Sequence, residues 1–215
     1  MTRMLSAGSW SAALLLGLAA LGCTPGGVGD PCTPEDEYQQ NFNGFQVTET
    51  NVESRSFQCE TRLCLVNHFQ GRVSCRLGQQ AQVDPATQAP IAGYHPSCSI
   101  PGTVASDNPD SADNVNVKVP SQLVARQTEK AVYCSCRCDG PDKNARYCEC
   151  PEGFQCEPLV QNLKITSGSG QLAGSYCIRS GSRYNANEPT VDTCLDNPKA
   201  CGCDGPNPSS ECGRK

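Results

Sequence analysis

The sequence predicts a small disulfide-rich fold, mainly β or irregular, in which two duplicated six-cysteine units are cross-linked into one body. Three observations carry that expectation. The 215 residues include 17 cysteines, aromatic residues make up only 6% of the chain, and short cysteine-containing words recur in the same order along it. A chain this poor in large apolar side chains buries too little surface to offset the entropy of ordering it. Each disulfide typically contributes about 2–4 kcal/mol, mostly by restricting the unfolded chain, so several of them replace a large core.

The N-terminus sets the compartment. Arg3 precedes an apolar run from Ala12 to Leu21 that is broken only by Gly17. A membrane-spanning helix takes about 20 apolar residues, so this shorter run reads as the hydrophobic part of an export signal. It closes on Ala20-Leu21-Gly22-Cys23, which resembles a bacterial lipobox, with Ala20 where leucine is commoner. The resemblance implies a signal peptide over residues 1–22, diacylglycerol on the Cys23 thiol and a further acyl chain, such as palmitate, on the new amino terminus. The membrane is then a partner through those chains. Thr24 stands where the family's inner-membrane retention signal has aspartate, so the resemblance points to the outer membrane, facing the periplasm or the cell surface.

Lipidation of Cys23 also resolves the odd cysteine count, because an exported protein rarely leaves one thiol unpaired. The sixteen that remain are Cys32, Cys59, Cys64, Cys75, Cys98, Cys134, Cys136, Cys138, Cys148, Cys150, Cys156, Cys177, Cys194, Cys201, Cys203 and Cys212, all expected in structural disulfides. They are about 8% of the 193 residues left after the first 22 are removed, close to the density of a disulfide scaffold. The same removal leaves 16 basic against 22 acidic residues, a net charge of −6. Such a balance is no footprint for nucleic acid, and it gives no electrostatic attraction to anionic lipid.

Phe57-Gln58-Cys59-Glu60 recurs as Phe154-Gln155-Cys156-Glu157, and Cys136-Arg137-Cys138-Asp139-Gly140-Pro141 recurs in part as Cys201-Gly202-Cys203-Asp204-Gly205-Pro206. Six cysteines of a first unit (Cys59, Cys75, Cys98, Cys136, Cys138, Cys148) thereby align with six of a second (Cys156, Cys177, Cys194, Cys201, Cys203, Cys212). Duplication predicts matching bridges in the two units, with no bond inside Cys136/Cys138 or Cys201/Cys203. The expected divisions are a tether and N-terminal segment over 23–58, a first cysteine-rich unit over 59–148 and a second over 149–215. Residues 79–133, rich in glutamine, proline and acidic residues, read as a surface-loop insertion in the first unit. Five cysteines after Cys23 precede residue 106 and eleven follow residue 133, both odd numbers, so full pairing requires at least one bridge across that segment.

Local signals fill in the rest. Gly- and Pro-rich Thr24 to Asp30 reads as a short tether that holds the body off the membrane. Thr33-Pro34-Glu35-Asp36-Glu37 has the proline and acidic first turn of a brief helix, and Asn43-Gly44 between Phe42 and Phe45 predicts a hairpin turn. Val115 to Val119 alternates as a half-buried strand does, Ser121 to Ala131 predicts one short amphipathic helix, and Ser175 to Arg179 another strand. Val132 to Cys138 alternates with period two, which on one extended strand directs Cys134, Cys136 and Cys138 to one face.

Little of this points to catalysis. His68 and His95 stand alone in loop-like sequence, no Gly-x-Ser-x-Gly or His-Glu-x-x-His occurs, and no Cys-x2-Cys redox pair is present. Asp107, Asp110 and Asp113 lack the alternate-residue spacing and central glycine of a calcium loop and read as a solvated acidic stretch. Thiolates at Cys134, Cys136, Cys138, Cys148, Cys150, Cys201 and Cys203 suit zinc or copper(I), but exported cysteines oxidise to disulfides, so metal binding is a minor alternative and no cofactor is expected. Ser167 to Gly170 lacks the lysine of a phosphate cradle and reads as a flexible loop.

Cys148-Glu149-Cys150-Pro151-Glu152-Gly153-Phe154 resembles the tail of epidermal-growth-factor-like modules, although Cys156 follows too early for their third bridge. Gly29-Asp30-Pro31-Cys32 after the lipobox, with Leu63-Cys64-Leu65 and Cys150-Pro151-Glu152-Gly153-Phe154-Gln155-Cys156, resembles cysteine-rich surface lipoproteins of delta-class proteobacteria. The expectation is a non-enzymatic, lipid-anchored cell-envelope protein that binds an envelope or extracellular protein or a glycan, or has a structural role at the surface. A protease inhibitor that presents a disulfide-held loop is the main alternative.

Overall fold

The computed structural model describes residues 25–79, 98–106, 108, 110–160, 172–187, 192–203 and 212. Two three-stranded antiparallel sheets form the frame. In the first, β1 (Thr50–Glu53) pairs with β2 (Leu63–Asn67), and β2 pairs with β3 (Val132–Ser135), with Cys64 opposite Cys134. The apolar sequences of β2 and β3 explain their burial. All four residues of β3 are buried, whereas Thr-Asn-Val-Glu in β1 suits an edge that meets solvent. The second sheet orders β4 (Arg137–Asp139), β6 (Gly174–Arg179) and β5 (Phe154–Val160), with β6 central and Cys156 opposite Cys177. β6 is the strand expected from Ser175 onward.

The expected single strand from Val132 to Cys138 is divided between the two sheets. Cys136 lies at the break, where its carbonyl accepts the Cys177 amide, and the β4–β6 register shifts between Arg137 and Asp139. Such a bulge takes Cys138 off the ladder and re-aims its side chain. Polar side chains join the sheets at this point. The Ser135 hydroxyl donates to the Cys177 carbonyl at 2.9 Å, and the Arg179 amide donates to the Tyr133 hydroxyl at 3.0 Å.

Eight disulfides pair Cys32 with Cys64, Cys59 with Cys134, Cys75 with Cys98, Cys136 with Cys148, Cys138 with Cys156, Cys150 with Cys177, Cys194 with Cys201 and Cys203 with Cys212. The chain therefore has a small, disulfide-rich, mainly β and irregular fold. Cys59–Cys134 supplies the bridge across the 79–133 segment that the odd counts demand, and neither closely spaced pair bonds internally. The expectation of matching connectivity is corrected. Cys75–Cys98 has no counterpart at Cys177 and Cys194, because Cys177 bonds Cys150, and Cys136–Cys148 has none at Cys201 and Cys212. The recurring words thus sit in unlike tertiary surroundings, and Cys138–Cys156 locks the two runs together.

Three further sequence expectations change. Residues 98–106 and 110–133 are packed and not a peripheral loop: Val115 and Val119 are fully buried beside Cys75–Cys98, with Val117 half-buried and Asn116 and Lys118 exposed. The alternation is real, but the chain makes isolated bridges, Gln79 with Val119 and Asn114 with Ser99, in place of a strand. Buried amides do the rest. The Gln79 side chain accepts the Cys98 amide at 2.9 Å and donates to the Val117 carbonyl at 3.2 Å, while Gln122 donates to the Arg72 carbonyl at 2.8 Å. The expected single helix is two short turns, a 3-10 turn at Val124–Arg126 and α1 (Thr128–Ala131), separated by extended Gln127.

Nor does Asn43-Gly44 close a hairpin. Phe45 pairs with Gly71, and Phe42 and Phe45 meet edge-to-face at 4.8 Å over one core. Gly44 has φ +94°, and a Cβ there would strike the Gly71 backbone. That core gathers Cys32, Cys59, Cys64 and Cys134 with Phe45, Val66, Phe69, Ala131 and Val132, so cross-links make up four of its nine buried members. The brief helix exists as a 3-10 turn, Glu35–Tyr38. It is held from below by Arg72, whose guanidinium donates to the Gln39 and Phe42 carbonyls at 3.1 and 2.9 Å and to the Glu37 carbonyl.

Candidate functional site

From Gly26 on, the segment expected to be a short tether is docked. Gly26 donates to the Gln58 carbonyl at 2.7 Å and accepts the Glu60 amide at 2.9 Å, and Gly29 and Asp30 exchange backbone hydrogen bonds with Cys134. Cys23 itself lies outside the described residues. Against this docked start, the turn that begins at Glu35 faces the stretch from Glu53 to Gln58. The two are clamped by a reciprocal amide pair: the Thr33 amide donates to Gln58 Oε1 at 3.0 Å, and Gln58 Nε2 donates to the Thr33 carbonyl at 2.8 Å. A third bond runs from the Glu35 amide to Glu53 Oε2 at 2.9 Å.

Between these walls opens a cleft of about 390 Å³, lined among others by Glu35, Tyr38, Glu53, Ser56, Phe57 and Gln58. Its chemistry is mixed. Tyr38 and Phe57 are 51% and 77% exposed, although aromatic rings ordinarily bury most of their surface, and the Arg62 guanidinium stacks 4.2 Å above the Phe57 ring. Burial, together with the neighbouring charges of Glu35 and Asp36, raises the Glu53 carboxyl above its ordinary value, against the Glu35 amide that favours its charged form. The Ser56 hydroxyl is buried without a hydrogen-bond partner. Rings, carboxylates and a hydroxyl in one cleft offer apolar faces and hydrogen-bond acceptors to a polar ligand. Glu35 stands out in the sequence as part of a helix start and Phe57-Gln58 as part of a recurring word, but none of these residues stands out as a binding residue. The available signal was two aromatic residues in strongly polar surroundings, Glu37-Tyr38 and Ser56-Phe57, and only the tertiary clamp brings them together.

His68 has a structural environment. Its Nδ1 faces the Val47 carbonyl at 3.0 Å, so it carries the proton, and Nε2 accepts from the Thr50 hydroxyl at 3.2 Å. The ring stacks on Tyr184 at 4.1 Å, and Arg126 lies 5.6 Å over the other ring. Burial, with Arg126 nearby, pushes the imidazole below its ordinary value of 6.5, against the Val47 bond. The unfolded chain then binds the proton more readily than the fold, so the contribution is intact above pH 6.5 and declines as pH falls from there toward the lower folded value. Stability is expected to drop as pH falls below about 6.5, and His68→Asn to flatten that slope. Equal slopes in urea titrations of the two proteins would contradict this role. His95 and Asp107 lie outside the described residues; Asp110 and Asp113 are exposed, with their amides capped by Asn108 and Ser111 side chains.

Among the described residues, three groups of sulfur atoms are tight enough to hold a metal ion: Cys32, Cys59 and Cys134; Cys136, Cys148 and Cys177; and Cys138, Cys150 and Cys156. Every one of these sulfurs is bonded to another sulfur, which removes the thiolate charge that zinc and copper(I) require. Among the described residues no helix is long and apolar enough to cross a membrane. The chain matches no protein-family model, no curated protein and no solved structure.

Proposed function

We propose that the chain is a lipid-anchored protein of the bacterial outer membrane, whose disulfide-held ectodomain binds a partner without catalysing a reaction. One observation carries the reading. The eight bridges account for the sixteen cysteines from Cys32 to Cys212, which leaves the seventeenth, Cys23, outside the set, at the end of the apolar run read as an export signal, where acylation would occupy its thiol. Gly26, docked on the body, follows Cys23 by three residues in the sequence, and Gln58, which holds Gly26, also lines the cleft. The partner is an envelope or extracellular protein or a glycan. Tyr38 and Phe57 suit the apolar face of a sugar ring or side chain, and Glu35 and Glu53 accept hydrogen bonds from its polar edge.

Each buried methylene of an acyl chain contributes about 0.8 kcal/mol, so two or three chains hold the protein on the membrane for long times. Cys23→Ala is expected to move it to the soluble fraction or leave it misprocessed. A variant that stays in the membrane fraction, with its N-terminus cleaved elsewhere, contradicts the anchor. Pull-down from the cell envelope with the native protein and with Phe57→Ala identifies the partner and tests the cleft.

A specific loop favours the inhibitor alternative. Cys136–Cys148 closes the stretch that carries exposed Lys143, and its turn is fixed by Ala145 and Tyr147 donating to the Asp142 carbonyl at 3.2 and 2.7 Å. A rigid loop loses little entropy on binding, and its exposed lysine suits proteases that cleave after basic residues. Failure of the intact protein to inhibit any such protease removes this reading.

A further inference from the structure

Three of the eight bridges form one continuous row along the β4–β6–β5 sheet. The Sγ atoms of Cys138, Cys150 and Cys156 lie within 4.8 Å of one another, as do those of Cys136, Cys148 and Cys177. Cys150–Cys177 belongs to both groups and sits between Cys138–Cys156 and Cys136–Cys148. At the inner junction Cys177 Sγ is 3.5 Å from Cys136 Sγ and 3.7 Å from Cys148 Sγ, a van der Waals contact between sulfurs that are not bonded. Burial grades along the row. Cys156 is exposed, Cys138 and Cys150 are half-buried, and Cys177 and Cys136 are buried, with half-buried Cys148 at the far end. The β4 bulge and the facing of Cys156 with Cys177 across β5 and β6 produce this crowding.

We propose that the row is a thiol–disulfide exchange relay that takes up an external thiol at Cys156 and releases a thiol at the Cys136–Cys148 end. Exchange proceeds by attack of a thiolate on a disulfide sulfur, and its rate depends on access to that sulfur. The external thiol loses its proton to solvent, its thiolate bonds to Cys156 Sγ, and the Cys138–Cys156 bond breaks with the electron pair leaving on Cys138. Freed from its bridge, the Cys138 side chain turns onto Cys150, forms Cys138–Cys150 and expels the Cys177 thiolate. Cys177 attacks Cys136, its nearest unbonded sulfur, to form Cys136–Cys177, and Cys148 leaves as a thiolate and takes a proton from water. Three sulfur–sulfur bonds exist before and three after; the external sulfur is oxidised from thiol to disulfide and Cys148 is reduced from disulfide to thiol, so the two changes balance and no other oxidant or reductant is needed. The other close cluster lacks an entry: Cys32, Cys59, Cys64 and Cys134 are all buried, none more than 2% exposed.

The test uses the intact oxidised protein with a limiting amount of cysteamine, or of a short peptide with one cysteine, followed by acid quench, alkylation and peptide mapping. The expected product carries the adduct on Cys156 and the alkylated thiol on Cys148 or Cys136, with Cys32–Cys64 and Cys59–Cys134 unchanged. Adducts from both probes assign the site to protein thiols as well as small ones; adducts from cysteamine alone restrict it to small thiols. In the double variant Cys136→Ala, Cys148→Ala the thiol is expected to stop at Cys177. A native-protein thiol that remains on Cys138 or Cys177, an adduct spread over bridges outside the row, or no adduct at all overturns the relay.

Discussion

Arg72→Met is expected to destabilise the protein by about 3–5 kcal/mol, the cost of leaving one partner of a buried ion pair alone. The Arg72 and Glu37 side chains are both 0% exposed, with Arg72 Nε 3.4 Å from Glu37 Oε2. Glu37 also accepts the Val73 amide at 2.7 Å and the Ser74 hydroxyl at 2.9 Å, so its carboxylate is locked between the 3-10 turn and the stretch after β2. Burial raises the Glu37 carboxyl above its ordinary value, and the Arg72 charge is the strongest of the effects that hold it down. Loss of Arg72 lets it rise further. Because the fold then binds a proton more tightly than the unfolded chain does, the variant should gain stability as pH falls from 7 toward 4.5. Glu37→Met combined with Arg72→Met should cost less than Arg72→Met alone. A loss below about 1 kcal/mol in urea titration would contradict the keystone role.

Removing Cys59–Cys134 by paired alanine substitution is the second large effect. Its sequence separation of 75 is the longest of the eight, and the chain-entropy relation assigns it about 4–5 kcal/mol. The same relation gives Cys194–Cys201, separated by 7, about 2–3 kcal/mol. Cys59 and Cys134 are also core members at 0% exposure, so cavity formation adds to the loss. Denaturant titrations should therefore rank Cys59→Ala, Cys134→Ala well below Cys194→Ala, Cys201→Ala. The reverse order would mean that the C-terminal bridges, not the long central loop, organise the fold.

The class of fold was legible because it rests on counting: sixteen cysteines in a chain with few aromatics admit few other solutions, and the parity on either side of residues 106–133 required the bridge that Cys59–Cys134 makes. Strand β6 and the alternation at Val115–Val119 were legible from period two. The pairing was not, because spacing carries no information on which sulfurs meet; the repeat invited symmetry, and the bulge at Cys138 broke it by turning that cysteine toward β5. Gln79 and Gln122 misled in another way. Gln79 reads as a polar-loop residue and Gln122 as part of a short amphipathic helix, yet both are buried because each amide satisfies backbone groups that no strand or helix does. The cleft was hidden for a similar reason. Tyr38 and Phe57 come from separate segments, which the Thr33–Gln58 amide pair and the bond from the Glu35 amide to Glu53 hold together.

The dependence of the fold on its disulfides is tested most directly by the amide NMR spectrum of the fully reduced chain, with and without zinc. Apolar burial at about 25 cal/mol per Å² does not offset the ordering entropy of so small a core once the cross-links are cut. The expected spectrum has collapsed dispersion that zinc does not restore. A reduced protein that keeps native dispersion, and gains more on addition of zinc, would contradict the disulfide scaffold and assign the organisation of the fold to thiolates and metal.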